Sequence, residues 1–303
     1  MRLLEDKLRA IGEVDLNRPL GTMTTYRIGG IAKYTVYPKD MLGLAECMRL
    51  LNEEKVPYKV IGKGSNLLCS DDPYDGVVVR LDRFFIDTYF EDDKVVCEAG
   101  ASLIALSYEC MKRGLSGLEF ASGIPGTVGG AVFMNAGAYK SSMSEVIEEV
   151  LVLRDGRFDW VKNEECGFAY RSSVFQEHPE WLIVGVRLQL EKSDVDSIRS
   201  LIEERRARRM ATQPLDYPSC GSVFRNPEGG FAWKYIDELG YRGKTVGGAK
   251  VSEKHSNFII NVDHAKASDV MSLIDSINHD MEERYGFVLK LEMEKFNWPN
   301  SKK

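Results

Sequence analysis

The chain contains the glycine-rich stretch Ser122-Gly123-Ile124-Pro125-Gly126-Thr127-Val128-Gly129-Gly130-Ala131. It is followed closely by Asn135-Ala136-Gly137-Ala138. Glycine has no Cβ, so successive amide groups can turn toward an anion, and the backbone can adopt positive φ without steric cost. The stretch therefore indicates a loop that binds a phosphate or a pyrophosphate. Glycine clusters also form tight turns between strands, and this second interpretation stays open.

Length and composition indicate a globular protein of two or three domains. The chain has 303 residues, and one domain usually has about 100 to 200. Apolar residues make up 44% and charged residues 28%, as in most globular proteins. No apolar run approaches the roughly 18 residues of a membrane helix, and the N-terminus lacks the pattern of a secretory signal. We therefore expect a cytoplasmic protein that does not bind a membrane.

The net charge of −6 gives no reason to expect nucleic-acid binding, which normally requires a basic surplus. One basic run, Arg205-Arg206-Ala207-Arg208-Arg209, lies at the end of a predicted helix that begins near Asp194. Cations at a helix C-terminus are stabilised by the helix dipole. The run therefore has two interpretations, a solvated helix end or an anion-binding site.

The cysteines and histidines do not form a metal-binding pattern. The sequence has no C-x-x-C pair, and no histidine lies at metal-ligand spacing from a cysteine. We expect no bound metal and reduced, partly buried thiols. The residues concerned are Cys47, Cys69, Cys97, Cys110, Cys166 and Cys220, with His178, His255, His264 and His279.

Helical and strand patterns alternate along the first two thirds of the chain. Asp40 is predicted to cap a helix that ends before an apolar strand at 58–61. A second helix is predicted over 102–112, with Gly114 in the C-cap region. Arg154-Asp155-Gly156-Arg157 predicts a hairpin between two apolar runs, because Asp-Gly suits a tight turn.

A change of composition near residues 192–215 predicts a domain boundary. Beyond it, the pattern predicts a short helix over 231–239 and a strand at 257–261. A long core-packing helix and a final strand over 287–296 complete the chain.

Two segments begin like nucleotide-binding motifs but do not complete them. Gly62-Lys63-Gly64-Ser65-Asn66-Leu67 has Leu67 where the dinucleotide fingerprint needs its third glycine, and no helix is predicted there. Gly243-Lys244-Thr245 ends like a P-loop, but Glu238 occupies the position of the first glycine. The sequence therefore disfavours both a Rossmann site and an NTPase.

Five segments together resemble the UDP-N-acetylenolpyruvoylglucosamine reductase family, in order, from about residue 20 to residue 296. Each segment alone would be weak, but five in register are specific. They are Ile61-Gly62-Lys63-Gly64-Ser65-Asn66-Leu67-Leu68, residues 122–131, Asn135-Ala136-Gly137-Ala138-Tyr139, Phe168-Ala169-Tyr170-Arg171-Ser172-Ser173-Val174-Phe175 and Gly221-Ser222-Val223-Phe224-Arg225-Asn226-Pro227.

The resemblance implies an α+β fold in which an FAD-binding fold similar to that of vanillyl-alcohol oxidase precedes a smaller α/β substrate-binding domain. Residues 1–75 and 76–195 would form two α+β FAD-binding subdomains, and residues 196–303 the substrate-binding domain. The implied protein is a monomeric flavoenzyme of bacterial peptidoglycan synthesis. It would bind FAD without a covalent link and use NADPH to reduce UDP-N-acetylglucosamine enolpyruvate to UDP-N-acetylmuramate.

The resemblance also implies which residues contact the FAD, and both glycine-rich segments would face its pyrophosphate. These cofactor-binding residues are Gly62, Lys63, Gly64, Ser65, Asn66, Gly123, Ile124, Gly126, Thr127, Gly129, Gly130, Asn135, Gly137 and Ala138.

Three residues match the family's catalytic positions. Ser222 would supply a proton, and Arg171 and Glu294 would assist at the enolate that forms after hydride addition. Glu292 is the alternative to Glu294, because both lie on one face of the predicted final strand. Cys220 is the alternative proton donor, since a thiol with its usual pKa of about 8.5 is more acidic than a serine hydroxyl.

Substrate contacts are expected at Asn226, whose amide can both donate and accept, and at Tyr170. Lys254, His255 and the basic run near Arg205 are further candidates for the substrate's diphosphate. The short interval between the Arg171 and Ser222 segments matches a shorter form of the family, which lacks a tyrosine-bearing insertion. Two other functions stay open, a different flavin oxidase of the same fold and a non-catalytic binder of FAD or a nucleotide sugar.

Overall fold

The computed structural model describes residues 4–298. In chain order, the α-helices of this range are α1 (Leu4–Ile11), α2 (Met41–Glu53), α3 (Leu103–Lys112), α4 (Val128–Phe133), α5 (Val174–Glu177), α6 (Val195–Thr212), α7 (Ala232–Glu238) and α8 (Ala267–Tyr285). Short 3₁₀ helices lie at Leu20–Met23, Glu119–Ala121, Met143–Glu145 and Asn163–Glu165.

Most of the strands are short. They are β1 (Gly12–Pro19), β2 (Ile31–Pro38), β3 (Tyr58–Ile61), β4 (Leu67–Cys69), β5 (Tyr74–Arg80), β6 (Thr88–Glu91), β7 (Lys94–Glu98), β8 (Leu115–Ser116), β9 (Gly137–Ala138), β10 (Ser141–Ser142), β11 (Ile147–Arg154), β12 (Arg157–Lys162), β13 (Leu182–Gln189), β14 (Glu191–Lys192), β15 (Thr245–Val246), β16 (Ala249–Val251), β17 (Ile259–Asn261) and β18 (Glu294–Phe296).

The chain forms two compact units that alternate along the sequence. The first unit comprises the chain up to Leu16, Tyr34–Lys63 and Gly76–Arg208. The second unit comprises Asn17–Lys33, Gly64–Asp75 and the chain from Arg209 onward. The domain bounds predicted from the sequence, 1–75, 76–195 and 196–303, stay a prediction.

One sheet has the strand order β1-β2-β5-β3, and β3 runs parallel to β5. Helix α2 follows β2 in the chain and leads into β3. Asp40 caps this helix as predicted, because the amide of Gly43 donates to its Oδ1 at 2.7 Å. Leu44 and Leu51 of α2 are buried in the core of the first unit.

A second sheet of the first unit orders its strands β12-β11-β13-β7-β6, all antiparallel. The predicted hairpin joins β11 to β12, with Arg154 opposite Arg157. Asp155 and Gly156 have φ of 49° and 73°, the left-handed values that a two-residue hairpin turn requires. Inward-facing residues such as Val150 pack into the same core as α2.

Helix α3 ends as predicted. The amide of Gly114 donates to the carbonyl of Met111 at 3.0 Å, and Gly114 has φ of 67°. A left-handed glycine after the last helical turn closes a helix without a Cβ clash.

The second unit packs α8 against the antiparallel sheet β15-β16-β17. The apolar side of α8 is buried as the sequence predicted, at Val270, Leu273, Ile274, Ile277 and Met281. Strand β4 runs parallel to β18 in the same unit, with Leu67 opposite Glu294.

The predicted final strand over 287–296 is mostly wrong, because only Glu294–Phe296 form a strand. The amide of Leu289 instead donates to Oδ1 of Asn278, at 2.9 Å, and its carbonyl accepts from Nδ2 at 3.3 Å. A side chain of α8 therefore satisfies the backbone where a neighbouring strand was expected. Helix α6 continues to Thr212, beyond the basic run. Among the helices at residues 4–298, none has the length and apolar character of a membrane span.

Candidate active site

The glycine-rich stretch leads into the six-residue helix α4, which the sequence analysis did not predict. Thr127 caps it, since its Oγ1 accepts from the amide of Gly130 at 3.3 Å. The amides of Val128 and Gly129 donate to the carbonyls of Ala101 and Ala99, at 2.9 and 2.8 Å. A threonine directly before the first helical residue was the signal that could have predicted this helix.

Gly129 allows close packing here, whereas the positive φ that we expected for the glycines of this stretch is not found at them. Gly123, Gly126, Gly129 and Gly130, all within the described range, do not have positive φ, whereas Gly64 has φ of 59°. A Cβ on Gly129 would lie 2.8 Å from Cβ of Ala99. Valine at position 129 would therefore disturb the packing inside the protein, whether or not a cofactor approaches it.

The two glycine-rich segments meet within the first unit. A Cβ on Gly62 would lie 2.3 Å from Oγ1 of Thr127, so only glycine lets the end of β3 approach the cap of α4. Beside this contact, the ammonium of Lys63 donates to Oγ of Ser102 at 2.9 Å. At this meeting point the backbone of Gly62 lies close to Thr127, and the positive charge of Lys63 lies beside them.

This meeting point has the donors that a pyrophosphate requires. The amides of Gly126 and Thr127 have no acceptor among residues 4–298. Amide donors next to a lysine stabilise an anion. The residues present at this point are therefore compatible with an anionic group such as the diphosphate of FAD.

Other residues predicted to contact the cofactor form bonds within the protein. Nδ2 of Asn66 donates to the backbone carbonyl of Glu292 at 3.1 Å, and the backbone carbonyl of Asn66 accepts from the amide of Glu294 at 2.8 Å. Gly64 is left-handed, and Ser65 follows it in a turn before β4. Ile124 packs against the core of the first unit.

Asn135 is 5% exposed and joins two loops of the first unit. Its Nδ2 donates to the carbonyl of Ala169 at 3.0 Å, and its Oδ1 accepts from the amide of Ser144 at 3.0 Å. Gly137 and Ala138 form the short strand β9, where a Cβ on Gly137 would lie 2.5 Å from the carbonyl oxygen of Ser141.

Arg171 occupies a strained turn of the first unit. It is the third residue of the turn Ala169–Ser172, whose end residues pair through two 3.1 Å hydrogen bonds, and its φ is 54°. This position normally requires glycine or asparagine, and such strain is common at functional sites. The guanidinium donates to the carbonyl of Gly137 at 2.8 Å and lies 5.1 Å from the ring of Tyr170. Tyr170 is 53% exposed and therefore accessible to a ligand.

Ser222 lies in the second unit, on a loop that two neighbouring segments hold. Gly221 before it has φ of 81°. The amide of Val223 donates to the carbonyl of Asn257 at 2.9 Å, and its carbonyl accepts from the amide of Glu292 at 2.8 Å. Ser222 itself is partly exposed. Its hydroxyl therefore lies on a fixed backbone where a ligand can reach it.

Cys220 has a different environment from Ser222, although it is two residues away. Its side chain is 2% exposed, and its Sγ lies 3.8 Å from Sδ of Met293. Burial raises the pKa of this thiol to about 12, and the negative charge of Glu292 contributes in the same direction. The acidity that made Cys220 an alternative proton donor is therefore lost in the folded protein.

Glu294 and Glu292 do not lie on one face of a strand, as the sequence suggested. Glu294 begins β18, whereas Glu292 lies in the bend before it. Both side chains are partly exposed.

Of the residues predicted to contact the substrate, Asn226, Lys254 and His255 lie in the second unit, and Tyr170 and Arg205 in the first. Oδ1 of Asn226 accepts from the amide of Ala232 at 3.1 Å, which leaves its Nδ2 for another partner. The ammonium of Lys254 donates to the carbonyl of Met210. Burial lowers the pKa of His255, with the charge of Arg242 acting in the same direction, so this imidazole is neutral at neutral pH.

Part of the basic run lies against an aromatic ring of the first unit. The guanidinium carbons of Arg205 and Arg208 lie 5.0 and 6.0 Å from the ring centre of Tyr139. The hydroxyl of Tyr139 donates to the carbonyl of Arg205 at 2.9 Å. The ring of Tyr139 therefore packs against two arginines of the run.

One group of side chains could hold a metal ion within the described residues, and it lies on α8. His279, Asp280 and Glu283 offer ligand atoms within 4.8 Å of one another. Asp280 already accepts from the hydroxyl of Tyr241 at 2.7 Å, and His279 and Glu283 are exposed. An exposed i, i+4 pair of this kind is common on helices without a metal.

Comparisons with known proteins support a flavoenzyme. Residues 32–159 match the model of an FAD binding domain. Residues 213–296 match the model of the C-terminal domain of UDP-N-acetylenolpyruvoylglucosamine reductase. The first match includes the meeting point of the glycine-rich segments, and the second includes Ser222 and Glu294. The fold and the site thus define an FAD-containing oxidoreductase with an α+β fold, which confirms the predicted fold class.

The whole chain has similar relatives. The reductase of Anoxybacillus flavithermus is 43% identical over 97% of this chain and 98% of its own, and that of Caldanaerobacter subterraneus is 42% identical over 96% and 97%. The crystal structure of the reductase from Thermus caldophilus is similar with a TM-score of 0.80 and 36% identity, over 94% of this chain and 98% of that one. The chain belongs to the UDP-N-acetylenolpyruvoylglucosamine reductase family, as its motifs predicted.

Proposed function

We propose that this protein reduces UDP-N-acetylglucosamine enolpyruvate to UDP-N-acetylmuramate for peptidoglycan synthesis, with NADPH as the electron donor. Family membership supports the reaction. The amides of Gly126 and Thr127 and the ammonium of Lys63 would hold the FAD diphosphate. We further propose that the protein acts as a cytoplasmic monomer of the shorter family form.

Bound FAD would supply a hydride that originates from NADPH. Hydride addition at the methylene carbon of the substrate leaves negative charge on the adjacent carbon and its carboxylate. Arg171 would stabilise this charge, because its planar guanidinium can donate two parallel hydrogen bonds to a carboxylate. The bond from Arg171 to the carbonyl of Gly137 fixes the guanidinium, so its position is set before substrate binds. Glu294 would assist at the same centre.

Ser222 would then deliver a proton to the carbon that carries the charge. The contrast between Ser222 and Cys220 is the observation that supports this step most directly. Ser222 lies partly exposed on a left-handed turn after Gly221, whereas the Cys220 thiol is buried with a pKa of about 12. A proton donor must first lie within reach of its acceptor, and acidity matters only after that.

The test separates the two halves of the catalytic cycle by rapid-mixing absorbance at the flavin band. Ser222→Ala should leave reduction by NADPH nearly unchanged and slow reoxidation by the enolpyruvyl substrate by about 100- to 10,000-fold, the usual contribution of proton transfer. Cys220→Ala is the matched control and should leave both steps within a few-fold. Slow reoxidation in Cys220→Ala together with normal reoxidation in Ser222→Ala would reverse the assignment.

A further inference from the structure

Gln176 links the turn that carries Arg171 to the end of α4. Its Nε2 donates to the carbonyl of Arg171 at 3.1 Å and to the carbonyl of Phe133 at 2.9 Å. Phe133 is the last residue of α4. The hydroxyl of Ser173 donates to the same Phe133 carbonyl at 2.6 Å. One side-chain amide therefore joins the Arg171 backbone to the helix that follows the glycine-rich stretch.

Asn135 fixes the other side of the same turn. Its Nδ2 donates to the carbonyl of Ala169, the first residue of the turn, at 3.0 Å. Its Oδ1 accepts from the amide of Ser144, so the side chain cannot rotate without losing both bonds. Asn135 is almost fully buried, which makes these bonds costly to lose.

The turn needs such support because Arg171 has a left-handed backbone, with φ of 54°. A side chain with a Cβ disfavours this conformation, and it persists only where the surroundings hold it. The Arg171 carbonyl accepts from Gln176, and the Arg171 guanidinium donates to Gly137. The backbone carbonyl and the guanidinium of Arg171 are thus both held by hydrogen bonds within the first unit.

We propose that Gln176 and Asn135 are positioning residues for Arg171, which hold its guanidinium where the substrate carboxylate binds. This rests on the proposed role of Arg171. Neither side chain would touch the substrate in this assignment. The positioning role of Asn135 replaces the cofactor contact that the sequence predicted for it. Both Nδ2 and Oδ1 of its side chain form hydrogen bonds within the protein.

The variant Gln176→Met keeps the length of the side chain and removes its donors. Glu177→Met is the matched control on the same short helix, at an exposed residue. With FAD bound, Gln176→Met should slow reoxidation by the enolpyruvyl substrate by about 10- to 100-fold, as expected for two lost hydrogen bonds. It should also weaken binding of UDP-N-acetylmuramate, measured by calorimetry without turnover. FAD content and reduction by NADPH should match those of Glu177→Met.

A double-mutant cycle with Arg171→Lys distinguishes positioning from a general loss of packing. If Gln176 acts through Arg171, Gln176→Met should slow reoxidation little further in a protein that already carries Arg171→Lys. Additive effects, or normal product binding in Gln176→Met, would overturn the inference. Normal turnover in Arg171→Lys alone would instead refute the role of Arg171. Should Gln176→Met not fold, Asn135→Asp takes its place, because it keeps the acceptor for Ser144 and loses the donor to Ala169.

Discussion

Gly130→Ala should raise the stability of the protein without FAD and at the same time weaken FAD binding. Gly130 is the third residue of α4 and is exposed. A Cβ at this position would meet only Oγ1 of Thr127, at 3.4 Å, which is ordinary van der Waals contact. Alanine in place of glycine stabilises a helix by about 0.5 to 1 kcal/mol. The free energy of unfolding without FAD should increase by this amount.

FAD binding should change in the opposite direction, because the added methyl group would occupy space that the pyrophosphate needs. A loss of at least about tenfold in affinity, or about 1.4 kcal/mol, is expected. Gly129→Ala is the comparison variant. Its Cβ would lie 2.8 Å from Cβ of Ala99, so it should lose stability even without FAD.

The two quantities are measured separately, by urea unfolding of the protein without FAD and by titration of FAD against protein fluorescence. The unchanged protein should bind one FAD per chain. Full FAD affinity in Gly130→Ala would mean that the pyrophosphate does not approach this glycine. A loss of stability without FAD would mean that the space around Gly130 has been misjudged, and the variant would then report nothing about the cofactor.

Two further predictions follow from Arg171 and from the buried thiols. Arg171→Lys should bind FAD normally and lose at least about tenfold in turnover, because lysine cannot form two parallel hydrogen bonds to a carboxylate; steady-state turnover near that of the unchanged protein would assign Arg171 to structure alone. Burial raises the pKa of four thiols to about 12, those of Cys47, Cys110, Cys166 and Cys220. In the unfolded chain a thiol has a pKa of about 8.5. The free energy of unfolding should therefore be constant below about pH 8.5 as far as these thiols contribute to it, and should decrease as the pH rises from there toward 12. Urea unfolding at pH 7.5, 9 and 10 measures this, and equal free energies at all three would contradict it.

Local signals predicted individual elements well. Asp40 caps α2, Gly114 follows α3 with positive φ, and Asp155-Gly156 forms the hairpin turn. Each depends on the conformational preference of one or two residues, which the sequence shows directly. The fold class and the cofactor were predicted differently, from the resemblance of five motif segments to a known family.

Elements that depend on distant contacts could not be predicted. The residues at 287–293 have a strand-like alternation, but their backbone bonds to Asn278 of α8 and to the segment around Val223. The conformation of Arg171 is equally invisible in the sequence, because nothing local favours positive φ at an arginine. The turn that contains it accepts a hydrogen bond from Asn135, far away in the chain, and the guanidinium donates to the carbonyl of Gly137.

The motif residues therefore divide into two groups that the sequence could not separate. Gly126, Thr127 and Lys63 present donors at the point where the glycine-rich segments meet, so substitutions there should act on the cofactor directly. Asn66 and Asn135 use their amides inside the protein, where each holds a loop that carries a proposed catalytic residue. A loss of activity on replacing Asn66 or Asn135 would therefore follow from movement of the backbone that their side chains hold, without any contact to FAD.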